Sequence, residues 1–149
     1  MYFGDPYDVN LPNGIDVHKL SLADEEEIKK WVKDRKDGYA MHLLNIKSWE
    51  KDDVVLEFGI FKNGSMIGAV GCGIDTVHGF SLNDCAKIML DEKNDELYRK
   101  VFKYVTNEVL KLDVIPFDNI QNGDYVSKNG GFTSKELGYE LVNKVITII

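Results

Sequence analysis

Seventeen residues in the middle of the chain limit its fold more than any others: Phe58-Gly59-Ile60-Phe61-Lys62-Asn63-Gly64-Ser65-Met66-Ile67-Gly68-Ala69-Val70-Gly71-Cys72-Gly73-Ile74. Asn63-Gly64 suits a two-residue type I′ turn, which needs positive φ at both central positions. The flanking runs are apolar, so the segment is expected to be a hairpin, roughly Val54 to Phe61 and Ser65 to Thr76. On the first arm Val54, Leu56, Phe58 and Ile60 share one face, and Val55, Glu57, Gly59 and Phe61 share the other. A pattern apolar on both faces suits a central strand covered on both sides. Gly68, Gly71 and Gly73 weaken a strand unless a backbone or a ligand approaches closely there.

The rest of the chain must supply that cover. At 149 residues it has the length of one domain with a substantial core. Its net charge of -7 argues against general nucleic-acid binding and against an anionic membrane surface, both of which require clustered positive charge. It leaves room for a cationic partner. Cys72 and Cys85 form no Cys-x-x-Cys pair, so buried thiols in a reducing compartment are expected, with no disulfide framework. His18, His42 and His78 show no ligand spacing, so no metal site is expected. There is no basic region followed by an apolar run at the start and no apolar stretch of about 20 residues, so a cytoplasmic protein is expected. No Gly-x-Ser-x-Gly elbow is present. The acidic segment Asp91 to Glu96 lacks the glycine and closing glutamate of a calcium loop.

Residues 1–14 form an irregular lead-in, held down by Tyr2, Phe3 and Tyr7. A strand is expected from Asp16 to Leu20. Ser21 then caps a helix, with Asp24 completing an approximate capping box and Glu25, Glu26 and Glu27 complementing the macrodipole. Ile28, Trp31 and Val32 form its apolar stripe, and Asp37-Gly38 ends it. A second, shorter helix is expected from Tyr39 to Trp49, with strand as the alternative for part of it, and Trp31 and Trp49 are expected as core anchors. After the hairpin, His78-Gly79-Phe80 reads as a turn and Cys85 to Leu90 as a strand. Asn94 or Asp95 caps the longest helix, to about Leu112, whose stripe is Leu97, Val101, Val105 and Val109 with Tyr98 and Phe102. Val114 to Phe117 is a short strand limited by Pro116. A short helix from Asn119 to Asn129 would close at Gly130-Gly131, and Gly138 to Ile149 is a strand signal.

This order, with the tight turn followed by Met66-Ile67-Gly68, the strand ending at Leu90 before the long helix, and Asp118-Asn119 followed by Asn129-Gly130-Gly131, resembles the GNAT superfamily of N-acetyltransferases over about Asp16 to Ile149. The resemblance implies an α+β, three-layer α/β/α domain: a mixed, mostly antiparallel central sheet flanked by helices, acyl-CoA N-acyltransferase-like. It implies acetyl-CoA as cofactor and an amine, small molecule or peptide, as acceptor, and it admits a homodimer. Leu90, Asn94, Arg99, Lys100 and Asn119 would hold the cofactor. The family's Gln/Arg-x-x-Gly-x-Gly/Ala pyrophosphate loop is replaced here by Asp91-Glu92-Lys93-Asn94-Asp95-Glu96, which has no glycine and four carboxylates. Direct transfer to an amine needs a base for the amine proton and an acid for the leaving thiolate. The candidate bases are Glu57 on the hairpin's first arm and Asp84 or Asp91 beside the strand that ends at Leu90, and Tyr125 is the candidate acid. The loss of the glycine loop favours a second function, a GNAT-like fold that has ceased to catalyse and binds a protein or small ligand.

Overall fold

A computed structural model describes residues 1–52, 55–75, 79–81, 88–117 and 135–140. Strand β1, Ile15–Lys19, leads into a 3-10 turn at Leu22–Asp24 and helix α1, Glu25–Val32. Helices α2, Gly38–Leu44, and α3, Ile46–Trp49, follow. Strands β2, Val55–Lys62, and β3, Ser65–Asp75, form the hairpin. Short strands β4, Gly79–Ser81, and β5, Met89–Leu90, precede the long helix α4, Asp95–Leu110, and strand β6, Pro116–Phe117, comes after it. The sheet order is β1-β2-β3-β4-β6, with β5 also on β3. All pairings are antiparallel except β4 with β6.

Asn63 and Gly64 both adopt positive φ, at 51° and 88°, as the type I′ turn requires. The hairpin register slips between Ile60, opposite Gly68, and Phe61, opposite Met66, leaving Ile67 as an extra residue. Such a bulge shifts the alternation by one. Met66 and Ala69, three apart, therefore both face the cluster built by α1, α2 and α3, while Ile67 and Val70 face α4.

Two apolar layers sandwich the sheet. Leu56, Phe58, Ile60 and Val70 meet Leu97, Val101, Val105 and Val109 of α4. On the opposite face, Phe61, Met66 and Ala69 meet Ile28, Trp31, Val32, Leu43 and Trp49. Both tryptophans are buried, as expected of anchors. The sheet between helical layers is the expected architecture. Tyr2 is buried, stacks on Tyr7 and packs at a tilt against Tyr139, so the lead-in belongs to the α4 layer. Phe3, by contrast, is 54% exposed and anchors nothing.

Several boundaries differ from the sequence expectation. Helix α1 ends at Val32 rather than at Asp37-Gly38. Asp37 instead opens α2: its backbone is extended and its side chain accepts the Ala40 N–H at 2.9 Å. Aspartate fits an N-cap as readily as a loop, and only the packing of the next helix decides. The single helix expected from Tyr39 to Trp49 is broken at Asn45 (φ -90°, ψ 34°) into α2 and α3. The break lets the Trp49 indole N–H reach the His42 carbonyl at 2.8 Å. Gly79 and Phe80, expected within a turn, lie in strand β4, which pairs with the nearby end of β3 and, in parallel, with β6, remote in sequence. Of the strand expected from Cys85 to Leu90, Met89–Leu90 is strand β5, and 82–87 lie outside the described residues. Gly138 sits in a turn at φ 85°, and the remainder of the expected terminal strand beyond 140 lies outside them, as does the 119–129 helix.

Candidate functional site

Glu57 is the most unusual side chain on the sheet. It lies on β2, on the face covered by α1 to α3, and is 4% exposed. Its neighbour across the hairpin is Gly71. A Cβ at Gly71 would come within 2.9 Å of Glu57 Oε2 and 3.2 Å of the Tyr39 ring. The glycine therefore makes the space in which the carboxylate sits; the close approach here is by the protein's own side chains rather than by the backbone or ligand the sequence led one to expect.

Both carboxylate oxygens are occupied. The Tyr39 hydroxyl donates to Oε2 at 2.5 Å, and His42 Nε2 lies 2.9 Å from Oε1. Tyr39 and His42 are one helical turn apart on α2, on the side turned to the sheet, because residues three apart share a face. The His42 ring stacks on Trp49, with centroids 5.5 Å apart, and lies 6.2 Å from Tyr39. Burial pushes the Glu57 carboxyl above its ordinary range, opposed by Tyr39 and His42. Burial and the adjacent Glu57 charge push the Tyr39 hydroxyl well above its ordinary value, so it stays a hydrogen-bond donor. Because Tyr39 donates to Oε2, an ionised Glu57 can accept at Oε1 only from a His42 that carries its proton on Nε2. The cluster runs from a buried carboxylate to an imidazole whose side chain is 39% exposed. A carboxylate–imidazole pair of this kind can accept, hold and release a proton.

The second region is the junction between β5 and α4. Leu90 pairs with Gly68, and the Asp91 N–H donates to the Ile67 carbonyl at 2.8 Å. The Asp91 carboxylate accepts from the Trp31 indole at 3.0 Å and from the Arg35 guanidinium. Arg35 lies 3.9 Å from the Trp31 ring centre. Asp91 is thereby committed to tying α1 to the junction and is poorly placed as a base. Asn94 is the N-cap of α4, its side chain accepting the Leu97 N–H at 3.0 Å. Lys100 pairs with Glu96 at 3.3 Å, and Lys62 with Glu92 at 3.3 Å. Arg99 is exposed. Two of the four carboxylates thus have a lysine partner and a third has an arginine.

Of the expected site residues, Glu57, Leu90, Asn94, Arg99 and Lys100 are described, and the last four gather at the junction. Asp84, Asn119, Tyr125, Cys85 and His78 lie outside the described residues. Tyr39 and His42 were not singled out as acid–base groups by sequence. The available signal was a glutamate in an otherwise apolar strand, with a tyrosine and a histidine three apart on a neighbouring helix. Among the described residues no cluster could hold a metal, and no helix is long and apolar enough to cross a membrane. A cleft of about 300 Å³ beside the lead-in includes the charges of Glu108 and Lys111, which pair with each other at 2.7 Å.

No family model matches the sequence, and no curated protein does. Solved structures do. The aminoglycoside 6′-N-acetyltransferase AAC(6′)-Ig of Acinetobacter haemolyticus matches with TM-score 0.60 at 11% identity, over 90% of this chain and 97% of that one. The chain has the GNAT fold. The ribosomal-protein-alanine N-acetyltransferase of Brucella melitensis biovar Abortus 2308 matches with TM-score 0.61 at 13% identity, over 92% and 99% of the two chains. The aminoglycoside N-acetyltransferase AAC(6′)-Iy in complex with CoA matches with TM-score 0.62 at 14% identity, over 97% of each. These matches share the fold at 11–14% identity.

Proposed function

We propose that the protein transfers an acetyl group from acetyl-CoA to an amine. The observation that carries this is the coincidence of a GNAT fold with a buried, hydrogen-bonded acid–base cluster on the sheet face opposite α4. Transfer forms a C–N bond and breaks the thioester C–S bond. An ammonium substrate gives up one proton to become a nucleophile, and the leaving thiolate takes up another. The Glu57 cluster provides for the first of these. Tyr125 is proposed for the second and Asp84 as an auxiliary carboxylate.

The cofactor would run along β5 and the start of α4. The backbone of Leu90 would hold its pantetheine arm together with Asn119. The pyrophosphate would meet the first turn of α4, where helical N–H groups lack intrahelical acceptors. Asn94 fixes that turn, and Arg99 and Lys100 add positive charge beside it. The lysine and arginine partners of Asp91, Glu92 and Glu96 offset much of the repulsion that four carboxylates would otherwise exert. The acceptor is a small-molecule or peptide amine, in keeping with the net charge of -7, which attracts cations.

The test is incubation with acetyl-CoA and a panel comprising an aminoglycoside, a polyamine and an alanine-terminated peptide, with acetylated products followed by mass spectrometry. Product that depends on the protein and on acetyl-CoA is expected. CoA binding with no product from any amine would favour a non-catalytic ligand-binding role.

A further inference from the structure

We propose that His42 Nδ1, rather than the Glu57 carboxylate, is the atom that receives the amine proton, with Glu57 acting as the positioning residue that holds His42 in the required tautomer. This rests on the acetyltransferase function proposed above and assigns its base.

Glu57 is a poor candidate for direct contact with substrate. Its side chain is 5% exposed, and both its oxygens are already engaged, by Tyr39 at 2.5 Å and His42 at 2.9 Å. His42 is the open end of the cluster, with 39% of its side chain exposed. Its Nε2 is bonded to Glu57, and its Nδ1 has no partner among the described residues. The ring plane is fixed between Trp49 and Tyr39, and the Trp49 indole fixes the backbone at the His42 carbonyl. With Nε2–H given to a carboxylate, Nδ1 carries the lone pair and faces outward. This is the arrangement of a base oriented by a third group. The titratable groups next to the cluster are Asp37 at the start of α2 and Cys72 on β3, both close enough to Tyr39 to raise its hydroxyl.

The proton balance is simple. The ammonium R–NH₃⁺ gives one proton to Nδ1, producing an imidazolium paired with Glu57. The neutral amine attacks the thioester, the C–N bond forms, the C–S bond breaks, and the second amine proton passes to the thiolate. The exposed imidazolium then releases its proton to water.

Nitrogen-15 NMR of the ligand-free full chain, above the titration of the ring, reads the tautomer directly. Protonated Nε2 with bare Nδ1 is expected, and the reverse would overturn the proposal whether or not the protein is an acetyltransferase. Diethyl pyrocarbonate then reports the nucleophilicity of His42. Glu57→Gln should slow its modification several-fold while Glu57→Asp partly restores it, and equal rates in all three proteins would count against a positioning role. With any amine that is turned over, His42→Gln should lower kcat by about 100-fold or more and remove the acid limb of the pH profile. Its calorimetric affinity for CoA should not change. An unaltered profile would overturn the assignment of the base. Failure of the wild-type protein to bind CoA would instead overturn the function on which it rests.

Discussion

Glu57 shows how one residue can be visible in a sequence while its role is not. A carboxylate between Leu56 and Phe58 in an apolar strand is conspicuous, and the sequence offers it as a candidate base for amine attack. Its partners were not legible, because Tyr39 and His42 lie 18 and 15 residues away and reach it only when α2 folds over the sheet. The other candidates at this scale, Asp84 and Tyr125, belong to segments outside the described residues. A pH dependence follows from the burial of Glu57. Its folded-state carboxyl is raised above the ordinary value of 4.5. A raised group stabilises the fold fully below its unfolded value, and that contribution is lost as pH rises through the folded value. Glu57→Gln cannot ionise. Its melting temperature should therefore gain on that of the wild-type protein as pH climbs from about 4 to 8. A difference that stays flat across that range would contradict an elevated carboxyl.

At the scale of elements, local chemistry was readable and long-range pairing was not. The Asn63-Gly64 turn, the Asn94 cap and the α4 stripe each depend on residues within one or two turns of one another, and all three appear as expected. Asp24 reaches back to the Ser21 N–H at 3.0 Å, so the capping box was also legible. Strand β4, which pairs with β6 far along the chain, was misplaced, and so were the end of α1 and the break at Asn45, although the Asp37–Ala40 and Trp49–His42 contacts there are local. Gly68 joins the two levels. Its lack of a side chain was noticed, but the reason is the Met89 carbonyl oxygen, against which any Cβ would collide. Gly68→Ala must push β5 away from β3, at a cost on the order of 1–3 kcal/mol from overpacking. Because β5 leads directly into α4, the same variant should weaken CoA binding, measured calorimetrically. Unchanged stability and affinity together would mean that the β3–β5 contact is not needed there.

For the whole molecule, the fold was legible because GNAT architecture follows from the order of elements, which survives when identity falls to 11–14%. The proposed cofactor site was less legible, because an Asn94-capped helix start with ion pairs around it stands where the resemblance leads one to look for a glycine loop. The lead-in was read as irregular, yet it closes the α4 layer. Tyr2 N–H donates to the Pro116 carbonyl at 2.8 Å. The Tyr7 backbone exchanges two hydrogen bonds with the Asn107 side chain, at 2.7 and 2.9 Å. Tyr2→Ala should cost about 3–5 kcal/mol in denaturant unfolding, as large aromatic truncations in cores do. A loss below about 1 kcal/mol would place the lead-in outside the cooperative unit.

The central claim is that this altered junction still accepts the cofactor of a GNAT enzyme. A ligand that binds only the folded state raises the melting temperature in proportion to its occupancy, by about 2.7 kcal/mol of stability at a hundredfold excess over Kd. Melting of the full chain with acetyl-CoA, CoA and ATP tests the claim directly. An upward shift with both CoA species and none with ATP is predicted. No shift with acetyl-CoA at millimolar concentration would contradict it.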